Sequence, residues 1–196
     1  DLFENFFIRI LRGSGLKGLI SLDKISKVAN KNLIRPLLHN KKNDLIFIAK
    51  HVFNFYVQDP SNKDEKFKRI QIRGLINELE KKGLDKKRFI KTIKNLKDSN
   101  KVITFYIEDN LKKNTFFFKK EKKIVLNKEF FQQPHEIIFR SLSECIKIIG
   151  KKYYSVRGKK LDKIIYDIEN NLLSRATLGG CIIEKVDQTV LISKEH

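Results

Sequence analysis

Asp1-Leu2-Phe3-Glu4-Asn5-Phe6-Phe7-Ile8-Arg9-Ile10-Leu11-Arg12 opens the chain, and Gly13-Ser14-Gly15 follows at once. At 100° per residue, Leu2, Phe3, Phe6, Phe7, Ile10 and Leu11 gather on one half of a helical wheel. Asp1, Glu4, Asn5 and Arg12 fall on the other half, together with Ile8. The pattern predicts an amphipathic helix over 1–12, stopped by Gly13 and Gly15. Its polar stripe carries two carboxylates at one end, with Arg12 on the same side roughly 16 Å further along. Such a stripe can hold an ammonium at its acidic end and a phosphate at its basic end. A charged face is equally what any surface helix of a basic protein presents. The glycines do not read as a phosphate cradle, which needs strand, loop and then helix N-terminus. Here the loop follows a helix, whose orphan groups are carbonyls, so it reads as a turn that places Arg12.

Beyond this helix, residues 25–38 read as one or two short strands running into Arg35-Pro36-Leu37-Leu38, and a helix covers about 42–57. Asp59-Pro60-Ser61-Asn62 is a turn by composition. A helix from about 64 to Lys82, ended by Gly83, carries Arg69 and Arg73 one turn apart, pointing away from Phe67, Ile70, Leu75 and Leu79. Parallel arginines grip phosphates, or simply stand in solvent. A further helix spans Asp85 to about Lys113. Strands at Thr115–Phe118 and Lys123–Leu126 then begin a separate small unit. Pro134 and Gly150 bracket another helix, Leu161–Leu173 gives one more, and Thr177–Glu184 with Thr189–Ile192 forms a closing hairpin. The expected organisation is 1–80, then a helical region 81–114, then a small α+β unit over 115–196.

The 196 residues include no methionine and begin inside a pattern, so the chain is expected to be a piece whose true N-terminus is missing. Its 41% hydrophobic content excludes a fully disordered chain. No apolar run approaches a membrane span, and no signal peptide is visible. The net charge of +19 has two readings. A codon bias towards Lys, Asn, Ile and Phe is one; a polyanionic partner such as nucleic acid is the other. Cys145 and Cys181 lack zinc-ligand spacing and suit a reducing cytoplasm. His39, His51, His135 and His196 are scattered, so no metal site is expected.

Taken in order, the motifs resemble those of one family, the tRNA(Ile)-lysidine synthetases, which are PP-loop ATP pyrophosphatases. Asp1-Leu2-Phe3-Glu4-Asn5 with Arg12-Gly13-Ser14-Gly15 looks like the family's second block. Arg35-Pro36-Leu37-Leu38 resembles the next landmark. Asp59-Pro60-Ser61-Asn62-x-Asp64-x-x-Phe67-x-Arg69-x-x-x-Arg73 is the most diagnostic match, and Thr177-Leu178-Gly179-Gly180-Cys181 resembles a later signature.

The resemblance implies an α/β parent of which this chain is a mostly helical piece: the tail of a Rossmann-like catalytic domain plus an α+β C-terminal unit. It implies adenylation of C2 of the wobble cytidine of tRNA(Ile) with ATP and Mg²⁺. Free L-lysine then displaces AMP to give lysidine. By the same resemblance Asp1, Glu4 and Arg12 belong to the reaction centre, and Arg69 and Arg73 contact nucleotide or tRNA. Gly13, Gly15, Arg35, Pro36, Asp59, Pro60 and Asn62 are its structural landmarks. Lys151, Lys152, Arg157, Lys159 and Lys160 are expected to grip tRNA, with Tyr153 and Tyr154 available to stack on unpaired bases. The Ser-Gly-Gly-x-Asp-Ser loop that binds ATP in the family is absent, as is its paired histidine, so the piece alone is expected to be inactive. The chain also reads Arg69-Ile70-Gln71-Ile72-Arg73 where members often have Asn after the first arginine. The expected setting is cytoplasmic, with no membrane, and a homodimer is left open. Two rivals remain: a non-catalytic basic tRNA-binding module, and a related PP-loop tRNA-modifying enzyme, which usually uses a cysteine pair.

Overall fold

The computed structural model describes residues 2–28, 31–38, 40, 42–57, 68–118, 120–152, 156 and 158–195. Asp1, Asp59, Pro60, Asn62, Tyr153, Tyr154 and Arg157 therefore lie outside the described residues. The chain divides into two compact units, Asp1–Asn100 and Lys101–His196.

In the first unit, α1 (Leu2–Leu11) is the helix its periodicity requires. It ends in a left-handed glycine cap. Gly13 takes φ +65°, its N–H donates to the Ile10 carbonyl at 2.8 Å, and the Ser14 N–H reaches the Arg9 carbonyl at 2.9 Å. The loop then enters a short helix, α2 (Leu16–Leu19), so it connects two helices where a turn alone was expected. Strands β1 (Ile25–Val28) and β2 (Lys31–Ile34) pair antiparallel, with Ile25 opposite Ile34. Helix α3 (Lys42–Val52) stops earlier than the expected 57.

Helix α4 (Lys68–Lys81) packs on α1. Its buried positions are Ile72 and Ile76, while Leu75 is exposed. That corrects the expected apolar stripe, because the side facing α1 runs through Arg69, Ile72, Arg73 and Ile76. Gly83, at φ +103°, ends this segment as expected. Asp85 then opens α5 (Lys86–Asn114), its carboxylate accepting from the Lys87 N–H at 2.7 Å. Phe89 stacks on Phe3 with centroids 4.2 Å apart and meets Phe6 edge-on at 4.9 Å, closing the apolar face of α1.

The division between units falls inside α5. The second unit is a five-stranded antiparallel sheet in the order β3-β4-β7-β6-β5, with α6 (His135–Gly150) and α7 (Gly158–Glu169). The strands are β3 (Thr115–Phe118), β4 (Lys123–Leu126), β5 (Arg175–Leu178), β6 (Cys181–Val186) and β7 (Thr189–Lys194). Alternation puts Ile124, Leu126, Ile183, Val190 and Ile192 in one core with Phe130, Leu142, Ile146, Leu161 and Ile165. A buried polar chain fastens the end of α5 to this core. The Asn110 amide donates to Ser141 Oγ at 3.3 Å and accepts from the Asn114 amide at 2.8 Å.

The single strand expected over 177–184 is two strands. Gly179 and Gly180 take φ +66° and +79° and reverse the chain, so Leu178 pairs with Cys181. The sequence places Gly150 just after the helix, yet it is the last residue of α6, and Lys151 takes the left-handed position at φ 50°. Gly150 is required for a different reason: a Cβ there would lie 2.2 Å from the Gly179 carbonyl oxygen. The glycine pair and Gly150 are thus one close approach between the α6 end and the hairpin. No helix among the described residues is long and apolar enough to cross a membrane.

Candidate functional site

Three distant segments of the first unit converge on one cavity of about 700 Å³. Helix α1 contributes Glu4, Asn5 and Ile8, the segment after β2 contributes Arg35, Pro36, Leu37 and Leu38, and α4 contributes Arg69 and Arg73. Leu22, Asn40, Lys42 and Leu45 complete the lining. Ile8, which the wheel places among polar residues, forms the apolar wall of this space together with Leu22, Pro36, Leu37, Leu38 and Leu45.

The central contact joins the first and third segments. Arg73 Nε donates to Glu4 Oε1 at 2.8 Å and its Nη2 to Oε2 at 3.3 Å, a two-pronged pair across the α1–α4 packing. The Glu4 side chain is 15% exposed and that of Arg73 35%, so the pair sits where solvent screens it only in part. The hydrogen bond that Arg73 donates to Glu4 raises the Arg73 pKa above its ordinary value, against a smaller opposing effect of burial. An enclosed charge-assisted bond contributes about 1.5–3 kcal/mol, and with about a third of Arg73 in solvent the screened pair contributes about 1 kcal/mol. Arg73 is therefore engaged by Glu4, and it fixes the rotamer of that carboxylate.

Arg35 is held differently. Its Nη1 donates to Ser26 Oγ at 2.8 Å and to the Asp23 carbonyl at 3.1 Å, while its backbone N–H donates to the Lys24 carbonyl at 2.7 Å. The hairpin thus aims the guanidinium, and Pro36 directs the chain into the cavity wall. Arg69, one turn before Arg73, is exposed and makes no ion pair with a described residue. Lys42 is likewise exposed. Among the described residues the lining sets Arg35, Lys42, Arg69 and Arg73 against one carboxylate, Glu4. A basic, half-apolar recess of this kind favours an anion carrying a flat or aliphatic body.

Arg12 is exposed and is not part of the lining. Gly13 caps α1 and Gly15 precedes α2, so these glycines shape the chain beside the site and not the cavity itself. Lys42, Asn5 and Asn40 were missed by the sequence reading. Only their neighbourhood to Glu4 and to Arg35-Pro36 could have flagged them. Among the described residues no group of three His, Cys, Asp or Glu could hold a metal ion.

In the second unit, Lys151 and Lys152 follow α6, with the Lys152 N–H donating to the Lys147 carbonyl at 3.2 Å. A Cβ on Gly180 would lie 3.5 Å from Lys152 Cε, which puts the lysine over the glycine turn. Lys159 and Lys160 stand exposed in the first turn of α7. A second cavity, about 410 Å³, is lined by Lys128, Phe131, Lys185 and Asp187 among others. Lys185 is spent internally, donating to the Ile168 carbonyl at 3.1 Å and to Asn171 Oδ1. Neither cysteine is a ready nucleophile. Burial pushes the Cys145 thiol up to about 12 and that of Cys181 to about 11.

Residues 1–79 match the family model described as a PP-loop domain. The whole chain is 30% identical over 200 residues to the tRNA(Ile)-lysidine synthase of Wolbachia pipientis wMel, covering 46% of that protein. It is 32% identical over 207 residues to the enzyme of the same name from Orientia tsutsugamushi strain Boryong, again 46% of its length. A shorter stretch, 37% of this chain, is 37% identical to the Campylobacter jejuni enzyme. The chain spans about half the length of the curated relatives it matches over its full extent.

Proposed function

We propose that the chain is part of an enzyme making lysidine, because residues 1–79 match the PP-loop family model and the whole chain is similar to about half the length of tRNA(Ile)-lysidine synthases. The enzyme ligates free lysine to C2 of the wobble cytidine of tRNA(Ile). Residues 1–80 supply the end of its Rossmann-like catalytic domain, 81–114 a helical connection, and 115–196 a unit that holds tRNA. The observation that carries the reading is the convergence of Glu4, Arg35, Arg69 and Arg73 on one basic cavity. Each comes from a different recognisable block, or from one turn of the same block, and no local pattern requires them to meet.

The chemistry assigns them distinct work. In the first step the cytidine C2 oxygen attacks the α-phosphorus of ATP and pyrophosphate leaves. In the second, the ε-amine of lysine forms the C2–N bond and AMP leaves with the C2 oxygen. Negative charge gathers on phosphate oxygens in both steps, and Arg69 and Arg35 face the space where it would be stabilised. Glu4, oriented by Arg73, receives the lysine ammonium, which must shed a proton before it can attack. The described residues fit a nucleotide's phosphates and offer no metal cluster, so none is assigned to Mg²⁺. In the second unit Lys151, Lys152, Lys159 and Lys160 hold the tRNA backbone, which positions the substrate without reading its bases.

The test is incorporation of labelled lysine into a tRNA(Ile) transcript with a CAU anticodon by the protein that contains this chain. Lysine should appear in tRNA with release of AMP and pyrophosphate. Adenylation without lysine transfer, or transfer of sulfur instead, would replace this reading with another PP-loop activity. Reversing charge at Lys151, Lys152, Lys159 and Lys160 should raise the tRNA KM and spare those for ATP and lysine.

A further inference from the structure

The sheet of the second unit has two unlike faces. Directly opposed residues across strands share a face. One such row runs Phe117, Ile124, Ile192, Ile183 and Ala176 through all five strands and lies on the helix side. The row beside it runs Phe116, Val125, Leu191, Glu184 and Arg175 on the other side. The next outer row begins Phe118, Lys123, Ser193. Helices α6 and α7 cover the inner face over β4, β6 and β7, where Ile124, Ile183 and Ile192 are at most 3% exposed, and leave Phe117 of the edge strand 46% exposed. On the outer face Phe116 remains 57% exposed and Phe118 49%.

Two half-exposed phenylalanines side by side on an edge strand are costly, since each forgoes roughly half of the about 1.5–3 kcal/mol that full burial provides. Their surroundings indicate what covers them. Lys120, Lys122, Lys123 and Arg175 lie on or beside this face, against Glu121 and Glu184. Lys123 and Arg175 hold those two carboxylates at 3.2 and 3.4 Å. The net local charge is positive, which complements an anion and opposes both a second copy of this basic chain and a basic partner. Rings at i and i+2 stand about 6.6 Å apart along the strand, a spacing that an extended single strand can match base by base.

We propose that the outer face of this sheet binds unpaired RNA, with Phe116 and Phe118 each stacking on a base and the lysines of the β3–β4 turn meeting the phosphates. The proposal rests on the tRNA reading of the second unit and adds to it a surface and a mode of contact. Backbone grip by Lys151, Lys152, Lys159 and Lys160 is indifferent to pairing. Ring stacking requires bases that are out of a helix.

The experiment measures binding of the full chain to a short fluorescein-labelled oligoadenylate and to an RNA duplex, by anisotropy across a salt series. Phe116→Leu with Phe118→Leu should weaken oligoadenylate binding at least about tenfold. Duplex binding and the salt slope should stay unchanged. Phe116→Tyr with Phe118→Tyr keeps both rings and should keep the affinity, which separates stacking from any loss of fold. Reversing charge at Lys151, Lys152, Lys159 and Lys160 should instead flatten the salt slope for both probes. Unchanged oligoadenylate binding in the leucine variant overturns the stacking face, as does an equal loss for both probes. A wild-type dimer dissolved by the leucine pair would overturn it too, by showing a second copy on that face. If the lysine reversal acts and the leucine pair does not, the tRNA reading stands without this surface. If the lysine reversal also does nothing, the tRNA reading of this unit falls with it.

Discussion

In the unit Lys101–His196, Phe130, Leu126, Leu142 and Ile192 are fully enclosed, and the phenylalanines left in water among the described residues are Phe105 on α5 and the three of one edge strand, β3. In the unit Asp1–Asn100, Phe47, Phe53 and Phe55 stand mostly exposed, and the buried apolar residues are few: Phe6, Ile72, Ile76 and Ile93. The unit Lys101–His196 closes a core by strand alternation and two amphipathic helices, and most of its basic side chains stand outside that core. The other gathers its charges around a cavity and fixes the central carboxylate by an ion pair. Stability and site chemistry are therefore carried by different residues in different units, which makes them separable by substitution.

The largest expected difference is in core truncation. Phe130→Ala should cost about 3–5 kcal/mol in urea unfolding, while Phe53→Ala should stay within about 0.5 kcal/mol. Equal costs would erase the contrast between the units. Next comes Gly150→Ala, whose methyl would overlap the Gly179 carbonyl. Thermal unfolding of the second unit should reveal a loss of about 1–3 kcal/mol. A neutral outcome would mean the α6 end and the glycine turn do not press together.

A pH series sharpens the comparison from another side. Cys145 is held neutral by burial, with its folded pKa raised from 9.0 to about 12. The stability tied to that thiol is fully present below pH about 9, where both states are protonated. Above it the unfolded chain ionises first and binds fewer protons. Stability should thus fall by about 1.4 kcal/mol per pH unit from about 9 towards about 12. Cys181, raised to about 11, adds a loss of the same sign up to about pH 11. Cys145→Ala should therefore remove about half of the combined thiol slope between about 9 and 11 and all of it between about 11 and 12. A slope that the substitution leaves undiminished would assign it to other groups. The smallest effect belongs to the first unit: a double-mutant cycle of Glu4→Gln and Arg73→Gln should show a coupling of about 1 kcal/mol. No coupling would mean the pair does not persist in solution.

Much of this architecture was legible in the residues. The 3.6-residue period of Leu2 to Leu11, the Gly13 cap, and the strands at 115–118 and 123–126 needed only local rules. Failures arose where distant chain segments decide the outcome. Gly179-Gly180 was read inside a strand because the turn is recognisable only once Leu178 and Cys181 are known to pair. Gly150 looked like a stop because its real constraint, the Gly179 carbonyl, lies elsewhere in sequence. For α4, the arginines were aimed away from the helix's apolar positions. The packing of α1 against Ile72 and Ile76 brings Arg73 to Glu4 instead. At the site, motif order placed Glu4, Arg35, Arg69 and Arg73 in one family. Their meeting in a cavity, and the partner of Glu4, came from the fold.

The central claim is that the cavity of the first unit is where lysine is joined to tRNA. It is tested most directly by the lysine-transfer rate of the protein containing this chain, wild type against Glu4→Gln, with unfolding followed in parallel. The account predicts a loss of about a hundredfold or more in rate with unfolding shifted by no more than about 1 kcal/mol. A wild-type rate in the variant, or a loss that follows unfolding alone, would contradict it.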